Sequence, residues 1–373
     1  MTTELEEKYK EYIHNTEIAF IDEVCEQRGV FASEDIKVGD VLLKIPLSEC
    51  VHGNHMKLTY ALMDMNNEYS RSLPVCITHF PVMWTPYEIE SLEGSAMKQM
   101  IPARKTTLLK ENKKDGIMDP LFLHYRLLVG SRAFSLNNET GYLVPYADML
   151  NTSNDPNVDW KIKDDHFILK ALKEIPKGEQ CFDAYGTKTN YENLLFYGMV
   201  LKDNVVNDVT YELMEIPSAL RKNINYKYFK NTVEFELCGA YSRGTVEIFS
   251  LIRFLVCSNA SKKDCPLRLN GFDCKPISKA NELVVVQCLY KAFVDIYNKK
   301  IIKLKDVCKK VEDFAATEVN VLMHWIDVLK RSATLLNCKT MKAAKKAIGK
   351  EKPNDYITYV VKRLIFDKRA YIK

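Results

Sequence analysis

Two stretches of strand-like patterning, residues 29–51 and 142–185, bracket a long run of helical periodicity. Strands bury an apolar face only when they pair and pack, so a β-domain interrupted in this way must carry the intervening helices as an insertion. In GVFASEDIKVGDVLLKIPLSECV, Val41, Leu43 and Ile45 share one face at period two, after a turn at Lys37-Val38-Gly39-Asp40. Residues 55–135 read as helices in HMKLTYALMDMNNE, YEIESLEGSAMKQM and DPLFLHYRLLVGSRAF, broken into pieces by Pro74, Pro81, Pro86 and Pro102. Strands return in VDWKI and HFILKAL, after a turn at Asn154–Asn157. A second turn, Lys177-Gly178-Glu179-Gln180, echoes Val38-Gly39-Asp40, and a helix is expected from Asn190 through Phe196. Residues 5–15 read as a short helix with an acidic face.

From about residue 205 the chain turns helical and Lys-rich. Leu283, Val286, Leu289, Phe293 and Ile296 form one apolar stripe, and Leu322, Trp325, Ile326 and Leu329 form another. Such stripes are packing faces far more often than ligand sites. Lys352-Pro353-Asn354 starts a last helix, DYITYVVKRLIF.

Composition excludes several classes. With 373 residues, 47% hydrophobic and 27% charged, the chain has the composition of a soluble globular protein and room for two or three domains. No apolar run approaches a membrane span, and MTTELEEKYKEY lacks the apolar core of a secretory signal, so a location in the cytoplasm or nucleus is expected. The eleven cysteines contain no CxxC or CxC pair, which favours reduced, mostly buried thiols over a zinc site. The seven histidines form no HxxxH or HExxH pair, and no metal is expected. GxxxxGK[ST] and GxGxxG are both missing, leaving nucleotide hydrolysis and Rossmann-type binding without support. Residues 301–373 carry 17 Lys and Arg against 8 Asp and Glu, enough to dock nucleic acid; a solvated helix face is the favoured reading.

Chemistry concentrates between Tyr142 and Gly198, in GYLVPYADMLNTSNDPNVDW and ALKEIPKGEQCFDAYGTKTNYENLLFYG. Tyr185 and Tyr197 each precede a glycine and stand twelve residues apart, at the ends of a turn and a helix. With RGVFASEDIKVGD near the N-terminus, this pattern resembles the SET-domain protein methyltransferases. The similarity is to the branch that includes the Rubisco and ribosomal-protein lysine methyltransferases, with an insert in the SET domain and a helical C-terminal domain. Asn281-Glu282 before an apolar helix, and EVNVLMHWIDVLKRSATLL, resemble that branch's substrate-binding domain.

The resemblance implies an S-adenosylmethionine-dependent protein-lysine N-methyltransferase. Such a reaction needs a methyl group held in line with a neutral amine, and burial beside a sulfonium favours the neutral form. A tyrosine suits the site because its ring excludes water while its hydroxyl makes one hydrogen bond. Tyr185 is implied beside the transferred methyl, and Tyr197 in the substrate-lysine channel, which Phe134 and Ala147 also line. Glu26, Gln27, Arg28 and Gly29 match the first cofactor loop, and Arg132 would pair with the cofactor carboxylate. Asn151 matches a cofactor-binding asparagine; the residue after it is Thr152, where related enzymes have histidine. Asp148 would position that loop or contact the cofactor.

Phe134, Ala147 and Tyr197 match the lysine-directed pattern rather than the actin-histidine branch. The alternatives carried forward are a non-catalytic SET-fold binding module, motivated by Thr152, and an actin-type histidine methyltransferase. The expected architecture is α+β. A SET core with a pseudoknot, where the C-terminal segment tucks under a loop, occupies residues 1–204 with a helical insert at about 55–124. An all-helical domain over 205–373 follows, with the substrate in a cleft between the two. The expected partner is a protein substrate (ribosomal, translation-factor, cytoskeletal or histone), and the chain is expected to be monomeric.

Overall fold

The computed structural model describes residues 4–22, 27–92, 95–111, 119–135, 140–202, 204, 209–213, 233–237, 243–256, 267–268, 271–272, 276, 278–304, 309–349 and 354–366. The chain divides into two compact units, residues 1–85 with 100–204, and residues 86–99 with 205–373.

The first unit opens with helix α1 (Glu4–Tyr9) and strands β1 (Thr16–Asp22), β2 (Gln27–Ala32), β3 (Val41–Pro46) and β4 (Val51–Gly53). Helices α2 (His55–Asp64), α3 (Glu68–Ser72), α4 (Pro86–Glu90, a segment of the second unit), α5 (Met97–Glu111) and α6 (Pro120–Arg132) follow in the chain. Then come β5 (Phe134–Ser135), β6 (Gly141–Leu143), β7 (Asn151–Thr152), β8 (Val158–Lys163), β9 (His166–Ala171) and β10 (Gln180–Asp183). Pairing of β4 with β6, and of β6 with β5, joins the strand before the helices to the strands after them. The helices are therefore looped out of a sheet, as the two bracketing stretches required. Residues 86–99 belong to the second unit rather than to this insert.

Two further sheets complete the unit, in the orders β1-β2-β10-β7 and β3-β9-β8. The β8–β9 hairpin turns through Asp164 and Asp165, both at positive φ, the two-residue turn whose twist matches flanking strands. The two echoing turns meet in space. Ile36 and Ile175 exchange backbone hydrogen bonds of 2.9 and 3.0 Å, while Gly39 and Gly178 take φ of 87° and 84°. Leu43 and Ile45 are fully buried, as is Leu42 on the other face of β3. Cys50 and Cys181 are buried free thiols, each with its pKa pushed up to about 12 by burial.

In the second unit β11 (Val209–Leu213) pairs with β12 (Val233–Leu237), and β13 (Leu267–Arg268) with β14 (Gly271–Phe272). These two ladders correct the expectation of an all-helical domain; β13 and β14, at two residues each, are too short to show a period. Helices dominate otherwise: α7 (Arg243–Val256), α8 (Lys279–Leu304), α9 (Lys309–Leu336), α10 (Met341–Ile348) and α11 (Lys362–Phe366). Val286, Leu289, Phe293, Leu322, Trp325 and Leu329 are buried along the anticipated stripes. Glu282, at the start of α8, is fully buried against Arg253 of α7, with nitrogen–oxygen distances of 2.9 and 2.6 Å, and accepts the Tyr356 hydroxyl at 2.5 Å. Glu282 of the Asn-Glu pair thus serves a buried ion pair that ties three helical segments together.

Two measurements follow from these buried charges. Glu282→Ala leaves Arg253 buried without its partner and should cost about 3–5 kcal/mol, read by circular dichroism in denaturant. Paired apolar replacement of both residues should recover much of that loss, and no recovery would contradict the account. Asp183, at the end of β10, is buried and its pKa is pushed up to about 6, chiefly by desolvation. A raised folded-state pKa means that stability is full below about pH 4 and is lost as pH rises through 6. Asp183→Asn should therefore gain about 2–3 kcal/mol over the parent at pH 7 and little at pH 4. A pH-independent difference between the two proteins in urea unfolding would contradict that assignment.

Candidate active site

The site grows from the parallel pairing of β7 with β10, in which Asn151 faces Phe182 and Thr152 faces Asp183. β2 lies on the other side of β10, with Val30 opposite Cys181. Asn151 crosses to β2 and donates its amide to the Arg28 carbonyl at 2.8 Å. Between them sits Gly29. A Cβ there would lie 2.1 Å from Gln180 Nε2 and 3.2 Å from Asn151 Nδ2, so any larger residue must displace the Gln180 amide. Gln180 Nε2 is itself buried without a hydrogen-bond partner. Gln27 is exposed at the start of β2, and the Arg28 guanidinium stands over the Phe20 ring at 5.2 Å. Glu26 lies outside the described residues.

Beyond β10 the chain stays against β7. The Tyr185 backbone N–H donates to Thr152 Oγ1 at 3.2 Å, and the Tyr185 hydroxyl donates to the Leu150 carbonyl at 2.6 Å. Thr152 thus has a partner in its own chain, holding Tyr185 in place. The Tyr185 and Tyr197 rings stack with centroids 4.9 Å apart and planes at 27°. Burial raises the pKa of both phenols, so both remain protonated at neutral pH.

Local structure explains the two Tyr-Gly pairs. Gly186 has φ of 91°, letting the chain turn back toward the Thr189-capped helical turn Asn190–Glu192. That turn widens into a π-helical one over Asn193–Tyr197, a form often found at functional sites. Gly198 ends it at φ of 67°, where a Cβ would stand 2.4 Å from the His79 ring. His79 has its pKa lowered to about 4, by burial and then by Arg132. Asn190, fully buried, accepts from the Leu201 N–H and donates to the Leu201 carbonyl, fixing the exit of this segment.

Arg132 lies at the end of α6. Its Nη1 donates to the Asp148 carbonyl at 2.7 Å and stands 3.7 Å from the Asp148 carboxylate, while its Nε is buried without a partner. Asp148 is buried and also accepts the Tyr69 hydroxyl at 2.8 Å; desolvation raises its pKa against the pull of Arg132. Ala147 is buried in the turn Ala147–Met149, which follows Tyr146 at φ 72° and ψ −50°, a costly backbone for a non-glycine residue. Phe134 packs edge-on against Trp160 and Phe167 at 5.4 and 4.9 Å. Its place is in an aromatic core cluster, and the channel role given to it rests on resemblance alone. No group of three or more metal-ligating side chains occurs among the described residues.

The structure therefore unites Arg28, Gly29, Asn151, Thr152 and Tyr185 around β2, β7 and β10, stacks Tyr197 on Tyr185, and pairs Arg132 with Asp148 nearby in the chain fold. Sequence reasoning missed Tyr69, Gln180 and Lys188. Tyr69 stands in the insert, which held no motif, Gln180 is the first residue of β10, and Lys188 is a polar residue in a turn of a kind that many sequences share.

The chain is similar to known proteins. The S. pombe "Ribosomal lysine N-methyltransferase set10" is 29% identical over 126 residues, which are 31% of this chain and 23% of that protein. The Salmo salar "N-lysine methyltransferase setd6" is 24% identical over 227 residues, 46% of this chain and 50% of that protein. The chain thus spans half or less of the length of these relatives. Among solved structures, the SET domain of LSMT bound to lysine and AdoHcy superposes with a TM-score of 0.60 at 18% identity, covering 95% of this chain and 96% of that one. Rubisco LSMT bound to AdoMet superposes at 0.57, with 17% identity and 95% and 96% coverage. These likenesses concern the fold. The sequence pattern of the SET domain matches residues 27–186, the span from the Gly29 loop to the first Tyr-Gly pair.

Proposed function

We propose that this chain is an S-adenosylmethionine-dependent methyltransferase acting on the side-chain amine of a lysine in a protein substrate. The observation that carries this reading is the stacked Tyr185–Tyr197 pair, pinned beside the Gly29–Asn151 cradle by the Tyr185 bonds to Thr152 and Leu150. The names of the relatives, both lysine methyltransferases, support the same reading.

The residues present fit the cofactor. The Gln180 amide packed against Gly29 and the Arg132 Nε are both buried donors without partners, suited to a carboxylate. Arg28, Gly29, Asn151 and Arg132 would hold it; bound, it supplies an electrophilic methyl carbon. The chain's own part is positioning and exclusion of water. Tyr185 keeps its proton and donates a hydrogen bond to the Leu150 carbonyl, so it is a wall and an orienting group rather than a general base. The target amine loses its proton on desolvation, and a stacked pair of rings suits a long aliphatic side chain better than an imidazole. Buried free thiols such as Cys50 and Cys181 accord with a reducing compartment, cytoplasm or nucleus.

Calorimetric titration with S-adenosylhomocysteine tests the cradle. Micromolar binding by the parent should disappear in Gly29→Val, whose side chain runs into Gln180, and in Asn151→Ala. A parent protein that does not bind would return the reading to a non-catalytic module. Tyr185→Phe should keep cofactor affinity and lower the methyl-transfer rate by about ten- to a hundredfold. Full activity in that variant would remove Tyr185 from its assigned role.

A further inference from the structure

Lys188 lies in the turn between the two tyrosines and folds its side chain back over them. Its ammonium donates to the Tyr185 backbone carbonyl and stands 5.7 Å from the centre of the Tyr197 ring, over its face. Gly186 makes room for this return, since a Cβ there would lie 3.0 Å from Lys188 Nζ. The backbone is held as well, for the Lys188 carbonyl accepts the Asn204 amide at 2.9 Å. A half-buried lysine is thus fixed at both ends of its side chain against the pair of rings assigned to the target lysine.

That position matters because the face of a tyrosine ring attracts an ammonium. Unoccupied, the Tyr197 face would favour a protonated target lysine, which has no lone pair to attack a methyl group. We infer that Lys188 is a specificity residue: its ammonium already holds the Tyr197 face, repels a second cation, and so admits the target lysine as the neutral amine. This inference rests on the reading of Tyr185 and Tyr197 as a lysine channel. The other charged and titratable groups facing the pair are Asp183 and Glu192 toward Tyr197, and Asp183, Asp148 and Arg132 toward Tyr185. Glu192 is engaged in capping Thr189, Asp148 is paired with Arg132 and Tyr69, and Asp183 accepts the Ala184 N–H. Lys188 is the cation set directly over a ring of the pair.

The test is binding, which does not require turnover. The full chain, saturated with S-adenosylhomocysteine, is titrated with two probes, Nα-acetyl-lysine amide and its uncharged counterpart Nα-acetyl-norleucine amide. At pH 7, Lys188→Met should bind the lysine probe about tenfold more tightly than the parent and the norleucine probe equally well. Lys188→Arg, which keeps the cation, should behave as the parent does. The parent's affinity for the lysine probe should rise as pH is taken from 7 toward 10, and the Lys188→Met affinity should not. An equal change for both probes would mean a structural role, and unchanged affinity for the lysine probe would mean none; either overturns the inference while leaving the lysine channel standing. A parent that binds S-adenosylhomocysteine but neither probe at any pH would overturn the channel reading and this inference with it.

Discussion

Everything distinctive in the first unit hangs on one short parallel ladder, β7 against β10. Four residues, Asn151 and Thr152 facing Phe182 and Asp183, join segments some thirty positions apart in sequence. Parallel strands cannot be joined by a tight turn, so the chain between them must travel, and it does so through the β8–β9 hairpin and the turn at Gly178. The ladder delivers Tyr185 to the Leu150 carbonyl and places Asn151 within reach of Arg28 on β2. Without it the cradle residue, the orienting residue and the first tyrosine would have no common frame.

That frame carries local costs. Tyr146 adopts a left-handed backbone, Asp148 and Asp183 are buried acids with raised pKa values, and Arg132 Nε and Asp148 Oδ1 are buried without partners. Each is unfavourable by itself, and together they lie on the few segments that surround the tyrosine pair. Strain and unsatisfied polar groups of this sort persist only where surrounding packing over-determines them. Here the packing is the cluster of buried residues that includes Leu143, Val144, Met149 and Leu150.

Much of this was legible in the sequence because it is periodic or punctuated. Alternation located β3, β8 and β9, and the Gly39 and Gly178 turns announced themselves as related. The insert followed from strands on either side of it. The two Tyr-Gly pairs could be recognised only through resemblance to a family, yet the structure gives each glycine a physical reason, positive φ at Gly186 and crowding by His79 at Gly198. The β13–β14 ladder of the second unit stayed hidden because its strands are pairs of residues set among helices. Thr152 was read against a family histidine and looked like a loss; its hydroxyl instead accepts the Tyr185 N–H. Glu282 was noticed as part of a pattern, but its ion pair with Arg253, 29 positions earlier, has no sequence signal. Tyr69 acts through Asp148, 79 positions away, which a single sequence does not display.

The central claim is that the paired tyrosines receive a lysine amine. The most direct measurement incubates the protein with S-adenosylmethionine labelled in its methyl group and a cell-extract protein pool, hydrolyses the labelled proteins completely, and identifies the amino acid that carries the label. Label in N-methylated lysine, dependent on Tyr185 and Asn151, is the predicted result. Label in methylhistidine, or none in any amino acid from a protein that binds S-adenosylhomocysteine, would contradict it.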